Sequence, residues 1–276
     1  MKLIPHGVVS GPGRRFGERP VGHCLGPVAV AAGWTPASEA GLRGHWDVPT
    51  EFAATGLGAS ISEWAGVSRA SGIEKWVQAT PSAQPVLGSL GGHKMILTDG
   101  IDDVLQTDGT DELLRADSVG VAGLIVTAFN PVPAFGEFLL SASTTGGSDD
   151  FIYVLAATKQ LACAVGGTGT PAVVNSPSLA DSVIYCIVFH VVDGAQAIRV
   201  YEVSNEQERL GRGSHSVAKS NFTSIFKVGG TAKTLGGVPA LPFYNGSFLG
   251  ELAFWDTNTE PDWEGDVLPY IYGRWQ

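Results

Sequence analysis

Gly91-Gly92-His93-Lys94-Met95-Ile96-Leu97-Thr98-Asp99-Gly100 is the stretch whose reading decides the fold. Lys94 to Thr98 is short and apolar, with a glycine pair before it and an Asp-Gly step after it. Turn residues at both ends of an apolar run of this length mark a strand. Gln84-Pro85 leads into the stretch, and Ile101-Asp102-Asp103-Val104-Leu105-Gln106 resumes an apolar rhythm around two acids. A buried strand that leaves through an Asp-Gly turn, with acids lying over its exit, suits the rim of a β-sandwich.

Outward from this strand, the same punctuation repeats. Val119 to Phe129 is an apolar strand ended by Asn130-Pro131. Glu137 to Ala142, Asp150 to Ala157 and Gln160 to Val165 follow at meander spacing, divided by Gly146-Gly147-Ser148 and by Thr158-Lys159. Ser182 to Val192 is the longest apolar run, and Ile198 to Val203 answers it across Asp193-Gly194, a strong hairpin signal. His190 falls in phase with Cys186 and Val188 and reads as a core residue. Near the end, Thr259-Glu260-Pro261-Asp262 opens a helix, with Thr259 as its cap. Trp263, Val267, Ile271 and Trp275 then recur at helical spacing, and Pro269 is expected to kink or split that helix.

Composition agrees. The chain has 276 residues, 37 of them glycine and 16 proline, and only 16% are charged, which suits many short strands joined by turns. All-β sandwiches run to roughly 200–250 residues as one domain. Two regions are expected: residues 1–33 as an extended Gly/Pro-rich arm, and residues 34–276 as the sandwich. The arm has too little apolar surface to pack by itself. Residues 1–35 carry Lys2, Arg14, Arg15 and Arg19 against Glu18, so they are basic while the remainder is strongly acidic. Arg14, Arg15 and Arg19 are the candidate partner-binding residues of the arm.

A net charge of −10 argues against a nucleic-acid partner, because phosphate recognition needs a basic surface. No apolar run approaches the ~18 residues of a membrane span, and the N-terminal stretch lacks the apolar centre of a secretory signal. The three cysteines, Cys24, Cys163 and Cys186, are widely spaced. A Cys163–Cys186 bridge is one arrangement, and buried reduced thiols are the favoured one. Production in a cytoplasm is expected.

Several segments together resemble a known family. Gln-Pro, a spacer, the Lys94–Thr98 strand and then Asp99-Gly100-Ile101-Asp102-Asp103-Val104-Leu105 resemble the laminin-G-like domains of the concanavalin A-like lectin/glucanase superfamily, in the version common in bacteriophage structural proteins. Pro36 to Asp47 is similar to that family's opening strand, Ile61-Ser62-Glu63-Trp64 to its second tryptophan element, and Phe248 to Asp256 to its penultimate strand. The resemblance implies an antiparallel concanavalin A-like jelly roll, carrying here an N-terminal arm and a short C-terminal helix. It also implies a non-enzymatic virion structural protein, a surface decoration or a tail or fibre adhesin. Such a protein is made in the host bacterial cytoplasm and is expected to be a homo-oligomer that meets other virion proteins and a host-surface glycan. A carbohydrate-binding lectin module is the alternative, and a glycoside hydrolase the remote one.

Chemical motifs are sparse. Trp64, Trp76 and Tyr244 are the candidates for stacking on a sugar, although buried aromatics of a sandwich core are the commoner role for such tryptophans. Superfamily glucanases place two alternating carboxylates on one strand, and Glu251 stands alone in its own, so hydrolysis is not expected. No cofactor is expected. Asp99, Asp102 and Asp103 are weak candidates for Ca²⁺, since hard oxygen donors on loops suit that ion. Zinc is not expected, because no histidines or cysteines have ligand spacing.

Overall fold

The structure, a computed structural model, describes residues 33–69, 75–99, 102–107, 120–132, 137–143, 149–155, 158–164, 172–174, 178–192, 194–213, 226–228, 234–235, 238–239 and 245–276. The expected arm, apart from Gly33, lies outside the described residues, and so do Arg14, Arg15, Arg19, Cys24 and Tyr244. The strands run in chain order as β1 (Leu42–Asp47), β2 (Glu63–Trp64), β3 (Ser68–Arg69), β4 (Trp76–Val77), β5 (Val86–Leu90) and β6 (His93–Asp99). Next come β7 (Leu105–Thr107), β8 (Gly120–Phe129), β9 (Glu137–Ser143), β10 (Asp149–Leu155), β11 (Gln160–Ala164) and β12 (Ala172–Val173). Last are β13 (Ile184–Val192), β14 (Ala195–Glu202), β15 (Gln207–Gly213), β16 (Phe226–Val228), β17 (Thr234–Leu235), β18 (Val238–Pro239) and β19 (Asn245–Asp256). A short helix α1 (Val48–Glu51) follows β1, and α2 (Leu268–Trp275) ends the chain.

Besides one small sheet, β17-β18, these strands make two large sheets, and all of their pairings are antiparallel. One has nine strands in the order β15-β14-β13-β8-β19-β1-β3, with β6 added beside β19 and β5 beside β6. The other has eight, ordered β12-β11-β10-β9-β16-β7-β4-β2. Strand β19 is the hub. One edge pairs with β8 along its length; the other pairs with β6 through Asn245, Phe248 and Leu249, then with β1 from Glu251 to Trp255.

Side chains of both sheets meet in one buried cluster. Trp46, Ile125, Phe189, Leu252 and Phe254 come from the first sheet, and Trp64, Trp76, Leu105, Leu161 and Cys163 from the second. The opposite face of the first sheet is also covered. There Leu124, Val126, Cys186, Val188 and Trp255 pack against Trp263, Val267, Ile271 and Trp275 from the C-terminal helical segment. A strand buried on both faces has no polar side to show. That is why β8 reads as an unbroken apolar run and is buried at every position. Gly123 within it leaves room for Phe189, whose Cε1 would lie 2.1 Å from a Cβ there.

Strands β13 and β14 pair as the expected hairpin, with Val192 opposite Ala195, while Asp193 lies outside the described residues. The helical segment departs from expectation at its start. Asp262, not Thr259, provides the cap, its carboxylate accepting from Gly265 N at 2.8 Å. A wide π turn (Trp263–Val267) then gives way to α2, and Pro269 sits in the first turn of α2, where the helical segment changes from π to α, in line with the expected split. The four residues at helical spacing are all buried. Cys163 and Cys186 are buried thiols on different sheets, and no disulfide joins them. No helix among the described residues is long and apolar enough to cross a membrane.

Candidate functional site

The most concentrated polar chemistry lies under α2, and a bulge in β19 puts it there. Register slips between Leu249 and Glu251, so that Leu249 faces Thr127 and Glu251 faces Val126. One extra residue in a strand exchanges its two faces. Without it, Glu251 would share a face with Leu249 and point between the sheets. With it, Gly250 and Glu251 both turn toward the helix.

Glu251 is wholly buried there. Its Oε1 accepts from the Tyr270 hydroxyl at 2.9 Å and lies 2.8 Å from His45 Nε2. Its Oε2 accepts from Trp275 Nε1 at 2.9 Å, with Arg274 Nε 3.8 Å away. Asp47, facing Glu251 across the strand pair, binds the Arg274 guanidinium and accepts from Thr50 Oγ1 at 2.5 Å. Burial works against the Arg274 charge, but the Asp47 carboxylate outweighs it and raises its pKa. Burial, and then the negative Glu251, push the Tyr270 hydroxyl up, so it stays protonated and donates.

This network was not found in the sequence, where Glu251 stands alone on its strand. The available signal was His45-x-Asp47, two polar residues on one face of an apolar strand. Asp47 and Glu251 form a carboxylate pair, but one buried beneath a helix and engaged by donors of the helix and the sheet. Such a group clamps; it does not meet substrate.

At the β6 exit, Asp99, Asp102 and Asp103 come together, with ligand oxygens within 4.8 Å of one another. Asp103 Oδ2 accepts from Asp99 N at 2.8 Å. Burial, aided by the charges of Asp99 and Asp102, pushes the Asp103 carboxyl up to about 6 against that hydrogen bond. The arrangement offers oxygen donors of the kind a hard cation takes.

The tryptophan expectation is corrected. Trp64 and Trp76 face each other across β2 and β4 and are fully buried between the sheets, Trp76 edge-on to Trp46 at 5.6 Å. Neither face is open to a sugar.

An open cleft of about 620 Å³ lies instead beside the end of α2. Four chain segments build it: the Gly91 turn with His93, Ser182 to Ile184, the Val203-Ser204-Glu206 turn, and Trp275-Gln276. The His93 and Trp275 rings lie 5.2 Å apart, and Gln276 Nε2 reaches Glu206 at 3.4 Å. Ser182 and Glu206 both have left-handed backbones, at φ +60° and +58°. Lys159 is the one other non-glycine residue so placed among the described residues. No single strand announces this cleft, because four chain segments far apart in sequence make it.

No protein-family model and no curated protein matches the sequence. The fold is similar to that of solved structures. Trypanosoma rangeli sialidase in complex with 2,3-difluoro-KDN matches at a TM-score of 0.51 and 14% identity, over 85% of this chain and 32% of that one. The same sialidase with 2,3-difluorosialic acid matches at 0.50 and 15%, over 88% and 36%. An arabinofuranosidase complexed with arabinofuranosyl-xylobiose stands lower, at 0.48 and 16%, over 77% and 50%. The chain spans about a third of the length of the sialidase chains, and the likeness is one of fold. It overturns the expectation of a virion structural protein, surface decoration or tail or fibre adhesin, since these structures sharing the fold are those of a sialidase.

Proposed function

We propose that this chain is a carbohydrate-recognition domain, a concanavalin A-like sandwich of the laminin-G-like kind that binds sugar in the cleft beside α2. The cleft's lining carries the reading. A sugar presents many hydroxyls, each both donor and acceptor, so a complementary site needs hydroxyl, amide and carboxylate groups. Ser182, Ser204, Glu206 and Gln276 supply that set, with the His93 ring beside them.

Backbone geometry supports the same reading. Holding a non-glycine residue left-handed costs on the order of 1 kcal/mol or more, and such positions gather at ligand sites. Here Ser182 and Glu206 both line the cleft. Two antiparallel sheets around one buried core, with a fold likeness at a TM-score of 0.51, support the sandwich. Recognition is favoured over cleavage because most glycosidases need two carboxylates open to the scissile bond, and the Asp47–Glu251 pair is closed in.

The test is a glycan array followed by calorimetry on the best ligand. Glycine adopts the left-handed conformation freely, so Glu206→Gly is expected to abolish binding while the melting temperature holds or rises. Undiminished binding by this variant sinks the proposal. Release of shortened glycan by the parent protein would make it a hydrolase.

A further inference from the structure

Among the described residues the cleft has one side-chain carboxylate, that of Glu206, and neither lysine nor arginine lines it. His93 is its one ring nitrogen pair; the other polar groups are the Ser182 and Ser204 hydroxyls and the Gln276 amide. Gln276 Nε2 leans on Glu206 at 3.4 Å while donating to Val203 O at 2.9 Å, so the amide is already engaged. The nearby Arg209 guanidinium faces Glu202 at 3.5 Å and the Ser178 carbonyl at 3.3 Å, and does not reach into the cleft.

Carboxylated sugars are held by fixed cations, with arginine the usual choice because its fork matches a carboxylate. A site with a fixed acid and no fixed cation does the opposite. An incoming carboxylate meets Glu206 at short range in the cleft, within a chain whose net charge is −10. A neutral diol can donate two hydrogen bonds to the same carboxylate, and a protonated amine can pair with it.

Resting on the reading that this cleft binds sugar, we infer that it selects by charge. It takes amino sugars first and neutral sugars next, and it rejects acidic ones, with Glu206 as the discriminating residue. The sugars found in the sialidase structures are acidic, so this cleft would serve a chemically different ligand.

A printed array tests this when each neutral glycan core stands beside its sialylated, uronic-acid and amine-bearing forms, read at low salt. We expect the acidic form of any bound core to give at least tenfold less signal than the neutral form, and the amine form more. Glu206→Gln should narrow the neutral-to-acidic ratio toward one, and Glu206→Lys should invert it. Equal or stronger binding of acidic forms by the parent, or an unchanged ratio in Glu206→Lys, overturns the inference while leaving sugar recognition standing. If the parent binds no glycan of any charge, the recognition reading itself falls, and this inference with it.

Discussion

Asp47 and Glu251 stand directly opposite each other on β1 and β19, and Arg274 from α2 reaches both. Two like charges buried side by side would repel, so the helix that covers them also supplies the cation they need. Around that pair, Tyr270, Trp275 and His45 complete a set of partners drawn from the helix and the sheet.

Glu251→Ala removes the acceptor of this set and strands its donors without water. Breaking a buried charged pair in this way costs about 3–5 kcal/mol. Urea unfolding should show that loss, with a smaller one for Glu251→Gln, which keeps one oxygen acceptor. A loss below about 1 kcal/mol, the scale of one ordinary hydrogen bond, would mean the network does not hold the helix.

Gly250 is required by the ring that lies on it. A Cβ there would sit 2.3 Å from Trp275 Cη2. Gly250→Ala is therefore expected to cost about 1–3 kcal/mol through overpacking. Phenylalanine lacks the far ring of tryptophan, so adding Trp275→Phe should recover part of this loss. A strictly additive double mutant, measured by thermal melts, would rule out the contact as the cause.

Asp103 gives a pH signature. Its pKa rises to about 6 in the folded chain, chiefly through burial, from its ordinary 3.8. The folded state therefore holds more protons than the unfolded one between those values. Its contribution to stability is then greatest in acid and declines as the pH rises from about 4 to about 6. Asp103→Asn should flatten that window and stabilise the protein at pH 7 by up to about 1–2 kcal/mol, while a chelator leaves the parent's melting temperature unchanged. A large melting shift with chelator that calcium reverses would instead assign Asp99, Asp102 and Asp103 to a bound cation.

Lys94 acts as a fixed cation for the turn after α1. Its Nζ donates to the carbonyls of Phe52, Ala53 and Thr55 at 3.1, 2.7 and 2.7 Å, filling all three of its donor positions. Lys94→Met keeps the stem and removes the charge, at an expected cost of about 1.5–3 kcal/mol. Hydrogen exchange should rise between residues 52 and 60 first. Unchanged exchange in that segment would show that the turn holds itself.

Local rules made part of the fold legible in the sequence. The β6 strand, the β13–β14 hairpin and the Trp263-Val267-Ile271-Trp275 stripe all follow from patterns spanning fewer than about 20 residues. The buried roles of Trp46 and Trp255 follow from the same alternation. The site was less legible. His45 and Glu251 are 206 residues apart and meet only because β1 and β19 pair. Strand β15 was not read either. Its Gln207-Glu208-Arg209 start looks polar, although Arg209 is buried there against the Tyr185 ring. Trp64 and Trp76 had the composition of a sugar platform, and only the first sheet packed over them decided otherwise.

The two partners that divide one edge of β19 have a consequence for how the chain is made. Strands β1, β6 and β8 all emerge from the ribosome well before the strand that joins them, and the first waits for some two hundred residues of synthesis. Until then each has an open edge and an apolar face, the condition in which nascent sheets mispair and recruit chaperones. Contacts of such long sequence separation also close slowly. The arrival of Asn245–Asp256 is thus the event that turns a string of hairpins into a closed protein, and expression should be limited by the quality of that last segment more than by any other.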